Sequence, residues 1–265
     1  MSQVTVTIAD GIALVTLNAP PHGQFERSTI DALGAAIDTV ETQASVKAVV
    51  VTGGIPGVFA DHYSIREFEA VGRHLKGHKP AADEDPLPAA TAFAAHLARI
   101  EASPRPWIAA INGTCIGAGF ELALACDIRV VEDDGYSIGL PEANLGLLPV
   151  GGGTQRLPRL IGPAKALQLI LMGLVVSPVQ ALQLGIAQEM APDLAVDAAM
   201  VMARRLADQF APASAAVKRL VRAAATTPLA EGLAAERAAF LDLVGQAEPL
   251  ARMHDLNRGE RDICD

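Results

Sequence analysis

Cysteine is scarce in this chain of 265 residues. Only Cys115, Cys126 and Cys264 occur, an odd number without metal-type spacing, which argues against a disulfide framework and makes reduced, packed thiols the expected state. Long apolar runs are missing as well. No stretch reaches the length of a membrane span, and the chain opens into the alternating Val4-Thr5-Val6-Thr7-Ile8 pattern of a strand without a basic signal-peptide head. A cytoplasmic protein with no membrane insertion is expected. Positive charge is in deficit, at a formal net charge of -9, so non-specific nucleic-acid binding is not expected, although a local basic patch could hold a phosphorylated small molecule. Nucleotide signatures are absent too: Gly117-Ala118-Gly119 has Leu122 where a dinucleotide fingerprint needs a third small residue, and there is no phosphate-loop lysine motif.

What remains is a chain with 51% hydrophobic residues, enough for one sizeable core or a domain with a helical appendage. Val4 to Ile8 and Ile12 to Leu17 read as strands joined by an Asp10-Gly11 hairpin, and Ser28 to Glu41 has helical periodicity. Lys47 to Thr52 reads as a buried strand ending in Gly53-Gly54. Pro88 to Glu101 is an alanine-rich helix stopped before Pro104. The alternation then repeats, with strands at Trp107 to Ile111 and Asp127 to Val131 on either side of a glycine-rich turn and helix, which predicts an α/β arrangement. From Gly162 onward the pattern is almost wholly helical, including a helix start at Ser177-Pro178. A core over residues 1–195 and a helical region over 196–265 are expected, the latter covered in part by a neighbouring subunit. Gly72 to Pro88 reads as a mobile surface segment.

Glu121 lies in Gly117-Ala118-Gly119-Phe120-Glu121-Leu122-Ala123-Leu124-Ala125-Cys126-Asp127, a helix-forming stretch with no polar face on which a carboxylate would be solvated. A buried carboxylate must be paired, hydrogen-bonded or protonated, and proton exchange near neutral pH is what general acid–base catalysis requires. The glycine-rich turn before it leaves N–H groups and the positive end of a helix dipole free to meet an oxyanion. A tight strand-to-helix turn, with the glutamate reaching solvent at the helix end, is compatible with the same residues. Glu142 follows in Pro141-Glu142, where, taken alone, a helix start with a dipole partner is the commoner reading. Gly151-Gly152-Gly153-Thr154 is either a further helix entry or a place where backbone approaches a ligand or another chain closely. His74 and His78 have the i, i+4 spacing of helical metal ligands, but Gly77 intervenes and no third ligand is evident, so no metal site is expected.

Taken together, Pro106-Trp107-Ile108-Ala109-Ala110-Ile111-Asn112-Gly113, Gly117 to Ala123 with Cys126-Asp127, Pro141-Glu142 through Gly146, Pro149, Gly152 to Leu157, Gly162 and Ala181 to Gly185 resemble the crotonase, or enoyl-CoA hydratase/isomerase, family. The resemblance implies a spiral of ββα units, a C-terminal helical region used in trimer assembly, and an acyl-CoA thioester as ligand. It implies an oxyanion hole made by the backbone N–H groups of Ala118 and Tyr63; Glu121 is assigned to the attacking water and Glu142 to proton delivery at the α-carbon, with an exchange of the two roles as the alternative. Ile65, Gly117, Pro141, Val150 and Gly151 are implied to border the substrate with Tyr63 and Ala118. Arg66 is a candidate for the CoA phosphates. The chain departs from the family at His62-Tyr63-Ser64, where Gly, a small residue and Asp are usual, at Val150 and Gly23-Gln24, in a small insertion around Asp133-Asp134-Gly135, and in its C-terminal tail. Both glutamates of the hydratase subgroup are present, which implies hydration of a 2-enoyl-CoA by a homotrimer or homohexamer, with no metal or redox cofactor. Another reaction of the family, such as isomerisation or acyl-CoA hydrolysis, and a non-catalytic acyl-CoA-binding role are the alternatives. The acyl pocket is expected in the region from Tyr63 to Pro88.

Overall fold

The computed structural model describes residues 3–19, 22–77, 80–81 and 83–264. The chain runs β1 (Val4–Ala9), β2 (Ile12–Leu17), α1 (Arg27–Thr42), β3 (Ala48–Gly53), β4 (Gly57–Ala60), α2 (Ile65–Leu75), α3 (Pro88–Ala102), β5 (Trp107–Ile111), β6 (Gly113–Ile116), α4 (Ala118–Ala125), β7 (Ile128–Glu132) and β8 (Ile138–Gly139). A 3-10 helix (Pro141–Leu145) follows, then α5 (Gly153–Ile161), α6 (Pro163–Leu171), β9 (Val175–Val176), α7 (Pro178–Leu184), β10 (Glu189–Ala191), α8 (Ala195–Ala207), α9 (Ala211–Ala223), α10 (Leu229–Val244) and α11 (Ala247–Asn257).

Asp10 and Gly11 both take positive φ, 51° and 76°, the twist that a two-residue turn needs to join strands with right-handed twist. The hairpin they close pairs Val4 with Leu17 and Ala9 with Ile12. Successive strands then divide between two sheets. One has the order β1-β2-β3-β5-β7-β10 and the other β4-β6-β8-β9, so β3 and β4, β5 and β6, and β7 and β8 each send one strand to each sheet before the chain turns helical. This alternation builds the spiral of ββα units. The pairs β2–β3, β3–β5, β5–β7 and β7–β10 are parallel, as are β4–β6 and β6–β8. Such strands are covered on both faces, and every residue of β3 and β5 is buried.

The pleat decides which residue faces which layer. Val49, Val51, Trp107, Ala109 and Ile111 join the main core, whereas Ala48, Val50, Ile108 and Ala110 meet the Ala195, Ala199, Ala203 and Ala207 stripe of α8. Small residues at every fourth position let α8 lie close to the sheet. No residue of α9, α10 or α11 is buried, so it is from Ala211 onward that the helices leave the core. Two features differ from the sequence reading. Short strands β9 and β10 interrupt the region expected to be helical after Gly162, because two or three residues are too few to show a period. The segment expected to be mobile from Gly72 begins inside α2, which continues to Leu75.

Among the described residues, no helix is long and apolar enough to cross a membrane. Cys115 and Cys126 are buried free thiols and Cys264 an exposed one. Arg129, only 4% exposed, is engaged through all three of its side-chain nitrogens: it donates to the carbonyls of Ile186 (2.6 Å), Ala123 (3.2 Å) and Cys126 (2.9 Å) and to Gln188 Oε1 (2.9 Å). It therefore stitches the end of α4 to the loop before β10. Arg129→Met would leave the buried Cys126 carbonyl without its donor and take one of two donors from each of the Ala123 carbonyl, the Ile186 carbonyl and Gln188 Oε1. A loss of about 1–3 kcal/mol is expected in urea unfolding, the cost of one orphaned buried acceptor.

Candidate active site

The parallel strands β4, β6 and β8 end on the same side, and their following turns converge. After β4 come His62 and Tyr63, after β6 come Gly117 and Ala118, and after β8 comes the 3-10 helix with Pro141 and Glu142. The loop entering α5 closes the group with Val150 and Gly151. Between them lies a cavity of about 250 Å3. Tyr63, Ile65, Gly117, Ala118, Glu121, Pro141, Glu142 and Val150 all line it. Gly151 does not line it, and instead acts through Glu121.

Glu121 is 2% exposed, on the first turn of α4. Its two oxygens accept from two backbone donors, Oε2 from the Gly151 N–H (3.0 Å) and Oε1 from the Gly153 N–H (2.7 Å). The three glycines are there for space. A Cβ on Gly151 would stand 2.6 Å from Glu121 Oε2, one on Gly152 2.3 Å from Arg156 Nη1, and one on Gly153 2.7 Å from Leu140 Cδ1. Burial pushes the Glu121 carboxyl up from 4.5 to about 7, against the pull of the Gly153 and Gly151 N–H groups; Glu142 adds to the rise and Arg156 opposes it.

Glu142 is held differently. Its Oε2 is buried without a hydrogen-bond partner among the described residues, and burial raises its carboxyl above the ordinary range, while its own backbone N–H and His62 lower it. Gly117 keeps the way to it open: a Cβ there would lie 3.0 Å from His62 Cβ and 3.3 Å from Glu142 Oε1. The cavity thus has one carboxylate whose oxygens are both anchored and one with an oxygen still to be satisfied.

Two backbone donors are left over between them. The His62 N–H is bound to Asp61 Oδ1 (2.7 Å), that of Ser64 to the Phe25 carbonyl (2.8 Å), that of Gly117 to the Gly139 carbonyl (3.0 Å) and that of Gly119 to the Asp61 carbonyl (3.2 Å). The intervening N–H groups of Tyr63 and Ala118 donate to nothing among the described residues. Gly119 makes the approach of these two turns possible, since a Cβ there would fall 2.1 Å from the Ala60 carbonyl oxygen. The Tyr63 phenol donates to Glu67, its ring lies tilted with its centroid 4.6 Å from that of Phe68, and burial with the Glu67 contact raises its pKa.

Phe93 and Ala90 of α3, Phe68 of α2, and Leu145, Leu147 and Leu148 also line the cavity. Sequence reasoning placed the acyl pocket between Tyr63 and Pro88 and so missed α3. Phe93 reads as an ordinary core position in an alanine-rich helix; its contact with the Gly151 turn depends on tertiary packing. Arg66 is outside the cavity on the surface, 3.9 Å from Glu26 Oε1. His74 stands beside Glu84, and His78 lies outside the described residues.

The titration of Glu121 predicts a pH-dependent stability. Between pH 4.5 and about 7 the folded protein keeps a proton that the unfolded chain has lost, so stability falls as pH rises through that window. Glu121→Gln removes this ionisation. Its thermal or urea stability should decline less than that of the wild type between pH 5 and 8, by on the order of 3 kcal/mol. Parallel curves would reject the raised value.

The sequence pattern of the enoyl-CoA hydratase/isomerase family matches residues 7–250. A probable enoyl-CoA hydratase of Bacillus subtilis (strain 168) is 36% identical over 211 residues, 79% of this chain and 78% of that protein. The fatty acid oxidation complex subunit alpha of Idiomarina loihiensis is 38% identical over 199 residues, 72% of this chain but only 27% of that much longer protein. Among solved structures, Pseudomonas aeruginosa DspI superposes with a TM-score of 0.86 at 30% identity, covering 98% of this chain and 95% of that one. An enoyl-CoA hydratase from Geobacillus kaustophilus superposes with a TM-score of 0.87 at 28% identity, covering 99% and 96%. With its spiral of ββα units and a family match over nearly its whole length, the chain belongs to the enoyl-CoA hydratase/isomerase, or crotonase, family.

Proposed function

We propose that the protein is an enoyl-CoA hydratase that adds water across the double bond of a 2-enoyl-CoA thioester. The observation that carries this reading is the pairing of two differently held carboxyl groups, Glu121 buried and Glu142 half-buried, with two backbone N–H groups unengaged among the described residues, around one apolar cavity. The thioester carbonyl oxygen accepts from Tyr63 N–H and Ala118 N–H, which withdraws electron density from the β-carbon and stabilises the enolate that follows. Glu121, ionised and fixed by Gly151 and Gly153, takes a proton from water as its oxygen bonds to the β-carbon. Glu142, protonated, gives its proton to the α-carbon as the enolate collapses to a 3-hydroxyacyl thioester. The proton gained by Glu121 must then be exchanged for the one lost by Glu142 before another turnover.

The walls fit such a substrate. Ile65, Phe68, Phe93, Leu145, Leu147, Leu148 and Val150 offer hydrocarbon contact to an acyl chain, while the polar groups converge at one end. The relatives named as an enoyl-CoA hydratase and as a subunit of a fatty acid oxidation complex support assignment to fatty acyl thioesters. Incubation of the purified protein with a panel of 2-enoyl-CoA esters, following loss of the conjugated thioester absorbance, tests the reaction directly. Glu121→Gln and Glu142→Gln keep shape but cannot exchange the proton. Each should cut kcat by ~100-fold or more on the best substrate, with the fold and CoA binding retained. Wild-type turnover in either variant would sink the two-carboxylate mechanism.

The same reading proposes assembly as a homotrimer or homohexamer. Val217 and Val221 of α9, Leu229, Leu233, Phe240 and Leu241 of α10 and Leu250 of α11 are all more than half exposed, too much apolar side chain for a surface that stays uncovered. Light scattering at micromolar concentration should give a multiple of the 27.5 kDa chain mass; a value equal to that mass would count against assembly.

A further inference from the structure

Charged side chains that the hydration chemistry does not use form a continuous chain from α9 to the glycine loop that holds Glu121. At its outer end Lys218 Nζ lies 2.7 Å from Asp127 Oδ2, and Arg222 Nη2 lies 2.8 Å from Asp127 Oδ1. Asp127 is itself tied to the sheet, accepting from the Trp107 N–H at 2.8 Å. Arg222 also reaches Glu101 Oε1 with its Nη1, at 3.1 Å. Glu101 in turn binds Arg156 through both oxygens, 2.9 Å to Nε and 2.8 Å to Nη2. The remaining donor of Arg156, Nη1, points to the Gly151 carbonyl at 2.6 Å.

That last contact falls at a particular peptide. The Gly151 carbonyl belongs to the unit between the two that carry the Gly151 and Gly153 N–H groups, so holding it sets the relative direction of both donors to Glu121. Three successive glycines, with Gly152 at φ 110°, have no side chain of their own to restrain them. Only a planar, multiply donating group can grip Glu101 with one edge and the carbonyl with the other.

We propose that Arg156 is a positioning residue, bracing the Gly151–Gly153 loop so that both N–H groups stay on Glu121, and that Arg222 makes this brace depend on the docking of α9. The catalytic part of the proposal rests on Glu121 being the base of the hydration reaction; the brace itself does not. Arg156 acts on Glu121 in two ways that reinforce each other, by orienting its donors and by supplying positive charge opposed to Glu142. The C-terminal helices and the reaction centre are thereby connected through one ionic chain.

The test uses the full chain and two readouts. Glu121 is titrated by its carboxyl infrared band, assigned by its disappearance in Glu121→Gln, and kcat and KM are measured against pH on the best enoyl-CoA ester. Arg156→Met should raise the Glu121 midpoint by roughly one pH unit and lower kcat about tenfold or more with KM little changed. Arg156→Lys, which keeps the charge without the fork, should fall between. Arg222→Met should move both readouts the same way by less, and should add little on top of Arg156→Met because the chain is then already broken. A midpoint unchanged in folded Arg156→Met and Arg156→Lys would overturn the proposal, as would full additivity of Arg222→Met with Arg156→Met. If Arg156→Met does not fold, the lysine and Arg222 variants decide by the same midpoints. Should Glu121→Gln keep full turnover while Arg156→Met still shifts the band, hydration by Glu121 fails and the brace stands.

Discussion

A carboxylate removed from water is the constraint around which this molecule is arranged. Glu121 is anchored by two backbone N–H groups, which is enough to keep ionisation within reach of neutral pH but not enough to restore an ordinary carboxylate. The loop supplying those donors has to come within van der Waals distance of the carboxyl, and Gly151 to Gly153 are the residues that permit it. Once the loop is there, Leu140 and Phe93 are fixed against it, and the apolar cavity acquires one of its walls.

The second constraint is the division of successive strands between two sheets. Because β4, β6 and β8 are parallel and adjacent, their carboxyl ends bring three turns together that are far apart in the chain. Each turn exposes something different there: an N–H at Tyr63 and another at Ala118, both unengaged among the described residues, and a carboxyl at Glu142. The turns approach so closely that Gly119 has no room for a side chain and a Cβ on Gly117 would press on His62. A backbone N–H does not depend on the side chain beside it, and this explains how the unusual His62-Tyr63-Ser64 segment can occupy the turn without removing the N–H at Tyr63.

The sequence made much of this legible, for reasons that can be traced residue by residue. Trp107 to Ile111 reads as a strand because five apolar residues run between a proline and an asparagine-glycine pair, and it forms one from end to end. Glu121 is conspicuous because its neighbours in α4 are all apolar. Phe93 and Leu148 were not legible as cavity residues, since nothing local separates a side chain facing a cavity from one facing the core or solvent. Strands β9 and β10 escaped notice because they are ordered by pairing with β8 and β7, not by their own pattern.

What the sequence determined by itself was local and periodic: the hairpin at Asp10-Gly11, the buried strands, the capping of Ser177-Pro178, and the presence of two carboxylates and a glycine loop in a family order. These depend on interactions within a few residues or on composition along one face. Only the tertiary structure decided that Gly151 serves Glu121 and not the cavity, that one oxygen of Glu142 stays without a partner among the described residues, and that Arg156 faces Glu101 on one side and the Gly151 carbonyl on the other. Each of those facts is a distance between residues far apart in the chain, and such distances exist only after the sheets have paired and the helices have packed upon them.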